Sequence, residues 1–126
     1  MDEELYKENI LEHNRHPHNK KKLSEVSFSE KASNPSCGDS LIIELLIVDS
    51  EVIDAGFSGE GCAISQASTS MFTDKIKGMT IDELRLISPG DVYNLLGIPI
   101  SPSRSQCALL PYQAVTAIIK KLPNHA

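Results

Sequence analysis

Residues 39–57 read DSLIIELLIVDSEVIDAGF, and this stretch decides the fold of the chain. Residues 39–48 form a strong β run, and apolar residues return at 52–57 after a polar Asp-Ser-Glu turn. Strands joined by such a tight turn pair antiparallel. A weaker alternation at residues 26–33 predicts a further strand ahead of them. We therefore expect a small three-stranded antiparallel sheet.

Helical patterns lie on both sides of this predicted sheet. Apolar residues recur at helical spacing between residues 5 and 13 and predict an N-terminal helix that Pro17 ends. The second half of the chain is helical in pattern, with a capping box at Thr80 and Glu83 and a loop at 97–102. Strands followed by helices indicate an α+β fold, in which the N-terminal helix and several C-terminal helices cover the sheet.

The bulk composition is that of one globular domain covering residues 1–126. Its net charge of −5 disfavours general nucleic-acid binding, because that function needs a basic surface. The chain has no run of about 18 apolar residues, so we expect no membrane span. The acidic start, Met1-Asp2-Glu3-Glu4, is unlike a basic targeting segment, and we expect a cytoplasmic protein.

The cysteines of the chain are Cys37, Cys62 and Cys107, and Asp39 stands two positions after the first of them. An odd number of cysteines in a chain without a signal peptide argues against a disulfide framework. Three thiolates and one carboxylate instead make a complete four-ligand set for zinc or for an iron–sulfur cluster. The sequence therefore predicts a metal or sulfur site.

The local sequence suits each of these residues to such a site. Cys37 and Asp39 lie at i and i+2, so both side chains leave one face of a strand that has already begun there. Cys62 follows a Gly-Glu-Gly bend near the start of a predicted helix, where the helix dipole favours a thiolate. Cys107 could lie near a helix start in the same way, but Pro111 favours a helix start nearer to itself, which would leave Cys107 on a mobile loop.

Each candidate also has a purely structural explanation. A lone cysteine is most often a small buried hydrophobe, and Cys62 or Cys107 could fill the core in that way. Asp39 taken alone is most simply a turn or cap residue. Only the combination of the three cysteines with Asp39 favours a metal or sulfur site.

The histidines and the basic run near the N-terminus are weaker signals. His13, His16 and His18 resemble a second ligand cluster, but a turn with partly buried histidine explains them better. The basic run at residues 15–22 is most simply a solvated turn, and docking to an acidic partner is the alternative.

Taken together, these motifs resemble the U-type iron–sulfur scaffold family, which contains IscU, SufU and the N-terminal domain of NifU. The resemblance extends from Tyr6 to about Leu122, nearly the whole chain. The residues that carry it are Tyr6, Ile10, Leu11, His13, Pro17 and Asn19, then NPSCGD at 34–39, GEGC at 59–62, and Arg104 with Cys107-Ala108-Leu109. Their presence in this order is highly specific.

The resemblance implies a scaffold that accepts sulfur from a cysteine desulfurase, assembles a labile cluster with iron and transfers it to apo-proteins. Carried over by position, Cys37, Asp39, Cys62 and Cys107 would be the ligands. They would bind a transient cluster of the 2Fe–2S type, or zinc in the isolated protein. We expect a monomer or a weak dimer.

The chain combines features of two branches of this family. Gln106 stands where the IscU branch has a histidine before its last cysteine, and ISQAS at 64–68 looks more like SufU. The interval from Cys62 to Cys107 is short, as in IscU, and lacks the insertion typical of SufU. The loop at 98–103 differs from the Leu-Pro-Pro-Val-Lys sequence that the chaperone dedicated to IscU recognises.

Three functions therefore stay open from the sequence. The first is a non-enzymatic scaffold, and the second is a zinc-dependent sulfurtransferase that accepts persulfide sulfur, as the SufU features suggest. For sulfur acceptance Cys37 is the first candidate, in a turn expected to be exposed, and Cys107 is the alternative. The third is a structural zinc module, which a single aspartate and widely separated cysteines fit less well.

Overall fold

The computed structural model describes residues 3–35 and 38–122. The elements along these residues are α1 (Glu3–Arg15), β1 (Phe28–Asn34), β2 (Asp39–Val48), β3 (Glu51–Glu60), α2 (Ala63–Ile76), α3 (Ile81–Arg85), α4 (Pro89–Leu96), α5 (Pro102–Ala108) and α6 (Leu110–Lys121). The predicted α+β fold is confirmed. Among the described residues, no helix is long and apolar enough to cross a membrane.

The strands form one antiparallel sheet in the order β1-β2-β3. β2 has the bounds that the sequence predicts, whereas β1 begins two residues later than predicted. The turn after β2 places Asp49 and Ser50 at positive φ, which gives the twist that a tight hairpin needs. β3 extends beyond its predicted end at residue 57, because residues 58–60 still pair with the start of β2.

The inner face of the sheet builds the main core. Alternate residues of β2, namely Leu41, Ile43 and Leu45, are buried there, as the period of two requires. Phe72 of α2 and Ile118 of α6 belong to the same buried cluster, so these two helices cover the sheet. The core therefore lies between the sheet and the second half of the chain.

The helix α2 lies at the centre of the fold, against α1, the sheet, α4, α5 and α6. Many of its buried residues are small and polar, and they satisfy their hydroxyl groups locally. Thr69 and Thr73 each donate to the backbone carbonyl four residues earlier, at 2.7 Å. Small side chains of this kind let neighbouring helices approach α2 closely, and α5, which carries Cys107, is one of them.

The helix boundaries of the second half follow local cap signals. The predicted capping box at Thr80 and Glu83 is present at the start of α3. The predicted loop at 97–102 ends one residue early, because Ser101 and Pro102 begin α5 as N-cap and first helical residue. This Ser-Pro pair is the sequence signal for a helix that the periodicity of the chain does not predict.

The prediction that Cys107 lies on a mobile loop is wrong. Cys107 belongs to the last turn of α5, and its side chain is completely buried. Pro111 does interrupt the helical chain, but the break falls at Leu109, between α5 and α6. The proline fits the first turn of α6, where its missing N–H costs nothing.

Candidate metal centre

Asp39 begins β2 and lies directly across the β1–β2 hairpin from Asn34, the last residue of β1. Both side chains point inward and are buried, with only 2% of Asp39 exposed. The Asp39 Oδ1 atom accepts a hydrogen bond of 2.9 Å from the backbone N–H of Cys62. A buried carboxylate needs such partners, and here the partner is the backbone of another predicted ligand.

Cys62 is the N-cap residue of α2, which confirms its predicted place at a helix start. The approach of Asp39 to this helix end depends on Gly61. A Cβ atom at Gly61 would lie 2.2 Å from Ser65 Oγ and 3.1 Å from Asp39 Oδ1. Glycine at position 61 therefore leaves the space in which the carboxylate meets the helix N-terminus, where the dipole favours negative charge.

Cys107 reaches the same place from α5. The Ser68 hydroxyl of α2 donates to the Ala108 carbonyl at 2.6 Å and ties the end of α5 to the central helix. The Asn34 amide nitrogen lies 3.7 Å from the Cys107 sulfur and donates to it. The sulfur is thus positioned between α2 and the β1–β2 hairpin.

These elements bring one carboxylate and two sulfurs together. Ligand atoms of Asp39, Cys62 and Cys107 all lie within 4.8 Å of one another. Asp39 Oδ2 is 3.7 Å from Cys62 Sγ. A tetrahedral ion with bonds of about 2.3 Å to sulfur holds its ligands roughly 3.5–4 Å apart. The donor set and its spacing therefore fit zinc or iron, which both accept thiolate and carboxylate ligands.

The remaining predicted ligand, Cys37, lies outside the described residues. Its neighbours Pro35 and Gly38 bracket the hairpin loop, and Gly38 has a φ of 72°, a left-handed conformation that favours glycine. Asp39 follows immediately at the candidate centre. The role of Cys37 as a ligand stays a prediction.

The N-terminal histidines form a hydrogen-bonded cluster with α2. His13 Nδ1 is 2.7 Å from Ser70 Oγ, and the same oxygen accepts the backbone N–H of His18 at 2.7 Å. His18 Nδ1 contacts the Asp74 carboxylate at 2.5 Å, and Asn19 donates to it at 2.9 Å. Of the three histidines only His13 is partly buried, and it lies at the end of α1, whereas His16 and His18 are exposed in the turn that follows. The cluster connects α1 and this turn to the middle of α2.

The pKa values in this cluster are shifted in directions that the contacts explain. Burial is the largest cause that lowers the pKa of His13, and the nearby His18 lowers this pKa further. Burial raises the pKa of Asp74, but hydrogen bonds from His18 and Asn19, with the charges of His18 and Lys77, outweigh it. The net effect is an Asp74 pKa below its ordinary value, so the cluster favours neutral His13 and ionised Asp74.

Three polar residues that belong to the quoted motifs make contacts near the candidate centre that the sequence does not predict. These are Asn34 and Ser68, which position Cys107, and Gln66, which lies one turn after Cys62. The Gln66 Oε1 atom accepts a hydrogen bond of 2.9 Å from Lys20, a member of the basic run. The Gln66 Nε2 atom is buried and has no hydrogen-bond partner among the described residues. No local pattern signals these contacts, because each joins distant parts of the chain.

An apolar hollow of about 300 Å³ opens beside the start of α2. It is lined by Lys7, Ile10, Leu11, Ala63, Ile64 and Ile98. Its walls are almost entirely hydrocarbon, so it adds no metal ligand to the candidate centre.

An α+β fold with a thiolate–carboxylate site of this kind is typical of a class of domains that assemble iron–sulfur clusters. The family model of the NifU-like N-terminal domain matches residues 5–126. The chain belongs to this family, which confirms the resemblance that its motifs carry.

Its relatives include both branches of that family. The zinc-dependent sulfurtransferase SufU of Bacillus subtilis is 34% identical, over 93% of this chain and 90% of the relative. The iron–sulfur cluster assembly scaffold protein IscU of Escherichia coli is 30% identical, over 90% and 91%. Among solved structures, FiSufU of Fervidobacterium islandicum AW-1 superposes with a TM-score of 0.76 at 26% identity, covering 93% of this chain and 98% of that one.

Proposed function

We propose that this chain is a scaffold for iron–sulfur cluster assembly. It accepts sulfur from a cysteine desulfurase, combines it with iron and transfers the cluster to apo-proteins. The observation that carries the proposal is the meeting of the Asp39 carboxylate with the Cys62 and Cys107 sulfurs. The relatives named as scaffolds support the same function.

The proposed cargo is a cluster of the 2Fe–2S type, held by Cys37, Asp39, Cys62 and Cys107. Thiolates are the usual ligands of such clusters. The carboxylate oxygen is a harder ligand that matches an iron–sulfide centre less well, so it exchanges more readily. A labile ligand suits a protein that must release its cargo.

The two sides of the site differ in their exposure to solvent. Asp39 and Cys107 are buried and exclude water from the inner side of the centre. Cys62 is only partly buried, so its side of the centre is the one that a donor or an acceptor protein can reach. The hydrogen bond from the Cys62 N–H keeps the Asp39 carboxylate pointed at the centre during this exchange.

The complete burial of Cys107 disfavours it as the first acceptor of sulfur, and we propose Cys37 for that role. In this step the acceptor thiolate attacks the outer sulfur of the desulfurase persulfide. The S–S bond breaks, the desulfurase cysteine leaves as a thiolate, and the acceptor becomes a persulfide. Conversion of this sulfur to sulfide then consumes two electrons from a thiol reductant.

The test is the iron, sulfide and zinc content of the protein after anaerobic incubation with desulfurase, cysteine, ferrous iron and dithiothreitol. We expect stoichiometric iron and sulfide, which are lost on transfer to an apo-ferredoxin. The Cys62→Ser variant is the matched control and should assemble much less cluster. Absence of bound iron and sulfide in the unmodified protein would contradict the scaffold function.

A zinc-dependent sulfurtransferase is the second candidate, because the Bacillus subtilis relative carries that name. The same four residues would hold zinc, and bound zinc would keep their thiolates deprotonated. Retained zinc, faster desulfurase turnover and no cluster in the assay above would favour this function. Mass spectrometry should then find a persulfide on Cys37, and its absence after turnover would exclude this version.

A further inference from the structure

The side chain of Asn34 lies at the junction of the elements that build the candidate centre. Asn34 closes β1 opposite Asp39, and only 7% of it is exposed. Its amide nitrogen is 3.7 Å from the sulfur of Cys107, which lies 73 positions later in the chain. This distance is ordinary for a hydrogen bond to sulfur, whose radius is larger than that of oxygen.

We propose that Asn34 is a positioning residue of the metal centre. Its amide holds the Cys107 sulfur against the β1–β2 hairpin and withdraws electron density from that sulfur. The inference rests on the proposed function, since it requires Cys107 to be a metal ligand.

The electronic part of the proposal follows from the direction of the hydrogen bond. The amide N–H is a donor, so it polarises the sulfur lone pairs that a metal would use. Hydrogen bonds to cluster sulfurs and thiolates are a principal means by which proteins adjust such sites. The Cys107–metal bond should therefore be weaker than an unassisted thiolate bond, and the metal should exchange faster.

The positional part follows from the topology. Asp39 is on the hairpin and Cys107 is on α5, and contacts to α2 already fix both elements, so a contact between hairpin and helix needs only to orient the Cys107 sulfur. Asn34, which directly faces Asp39 across the hairpin, makes this contact with the Cys107 sulfur. Outside the hairpin, the Ser68 bond to Ala108 fixes the same end of α5 to α2.

Cobalt(II) substitution tests the electronic part. We expect Asn34→Leu, which keeps the volume but removes the donor, to shift the thiolate-to-cobalt charge-transfer band to lower energy. Asn34→Asp should shift it in the same direction, because a carboxylate raises electron density at the sulfur. Ser33→Ala, on the exposed face of the same strand, is the matched control and should leave the band unchanged.

Zinc extraction by a chelator gives a second readout. Release from Asn34→Leu should be slower than from the unmodified protein by about fivefold, the factor that one net hydrogen bond contributes. If Asn34 had a purely structural role, its replacement would loosen the site and speed up zinc release, but it would leave the position of the charge-transfer band unaltered. An unshifted band in both Asn34 variants would overturn the proposal, whatever the extraction rate.

The Cys107→Ser variant separates this inference from the proposed function. If metal affinity and spectrum are the same with serine at position 107, Cys107 is not a ligand and the proposed ligand set fails. If Cys107→Ser loses the charge-transfer intensity while both Asn34 variants match the unmodified protein, only the role of Asn34 fails.

Discussion

At the scale of single residues, Asp39 combines a structural contact with a proposed ligand role. Asp39→Asn keeps an oxygen that can accept the Cys62 N–H, whereas Asp39→Ala leaves that partly buried donor without this partner. We expect Asp39→Ala to be less stable than Asp39→Asn by about 1–3 kcal/mol, the cost of an unsatisfied buried group. Urea unfolding of the metal-free proteins measures this difference.

Both Asp39 variants lack the labile carboxylate, so both should release an assembled cluster more slowly than the unmodified protein. Circular dichroism of an apo-ferredoxin acceptor follows the transfer. Equal transfer rates for all three proteins would count against Asp39 as the ligand that confers lability.

Gly61 is the residue at which added volume should damage the site most directly. A Cβ atom there would collide with Ser65 Oγ at 2.2 Å, and Ser65 is itself buried and bonded to the Cys62 carbonyl. We expect Gly61→Ala to cost about 1–3 kcal/mol, as for other overpacked positions, and to weaken zinc binding. Thermal unfolding and chelator competition are the measurements.

Two further variants are the controls for Gly61. Gly90→Ala in α4 meets only Ser88 Oγ at 3.6 Å and should be neutral or slightly stabilising. Adding Ser65→Ala to Gly61→Ala removes the colliding oxygen and should restore part of the stability. No recovery in this double variant would show that the collision is not the cause.

At the scale of elements, the His13 contact connects α1 to α2 in a pH-dependent way. The folded-state pKa of His13 lies below its ordinary value, so the unfolded chain binds a proton at higher pH than the folded protein does. The stability of the metal-free protein should therefore fall as the pH drops below about 6.5. His13→Asn should flatten this dependence in urea titrations between pH 7 and pH 5.

The exposed His16 on the same segment supplies the control. His16→Gln should keep the pH dependence of the unmodified protein. Asp74 affects stability in a different pH range. Because its pKa is lowered in the folded protein, the ionised carboxylate stabilises the fold above about pH 4, and this effect is lost in stronger acid. A pH dependence between 7 and 5 that His13→Asn leaves intact would assign the effect to another group.

At the scale of the whole molecule, the main core cluster includes none of Asp39, Cys62 and Cys107. Ile43, Phe57, Phe72 and Ile118 are completely or almost completely buried between the sheet and the helices, and hydrophobic burial of this kind stabilises a fold by itself. We expect a chelator to remove zinc while far-ultraviolet circular dichroism keeps its helical signal. The thermal transition should stay cooperative but move to lower temperature, because a bound ligand stabilises the folded state. Unfolding on chelation would instead indicate a structural zinc module.

Much of the fold could be predicted because its signals are local. The bounds of β2, the capping box of α3 and the place of Cys62 at a helix start depend on residues within a few positions of one another. Period-two burial and cap chemistry act over that range. The ligand types were likewise visible, since thiolate and carboxylate chemistry belongs to the side chains themselves.

By itself, the sequence determined the antiparallel sheet, the helices on both sides of it other than α5, and the thiolate and carboxylate side chains that are candidate metal ligands. Only the tertiary structure decided that Cys107 is buried in α5, that Asn34 contacts its sulfur, and that the Cys62 N–H holds Asp39. These contacts join the hairpin to helices far along the chain. They exist because α2 packs against the sheet and α5 packs against α2, and packing of this kind leaves no periodic trace in the sequence.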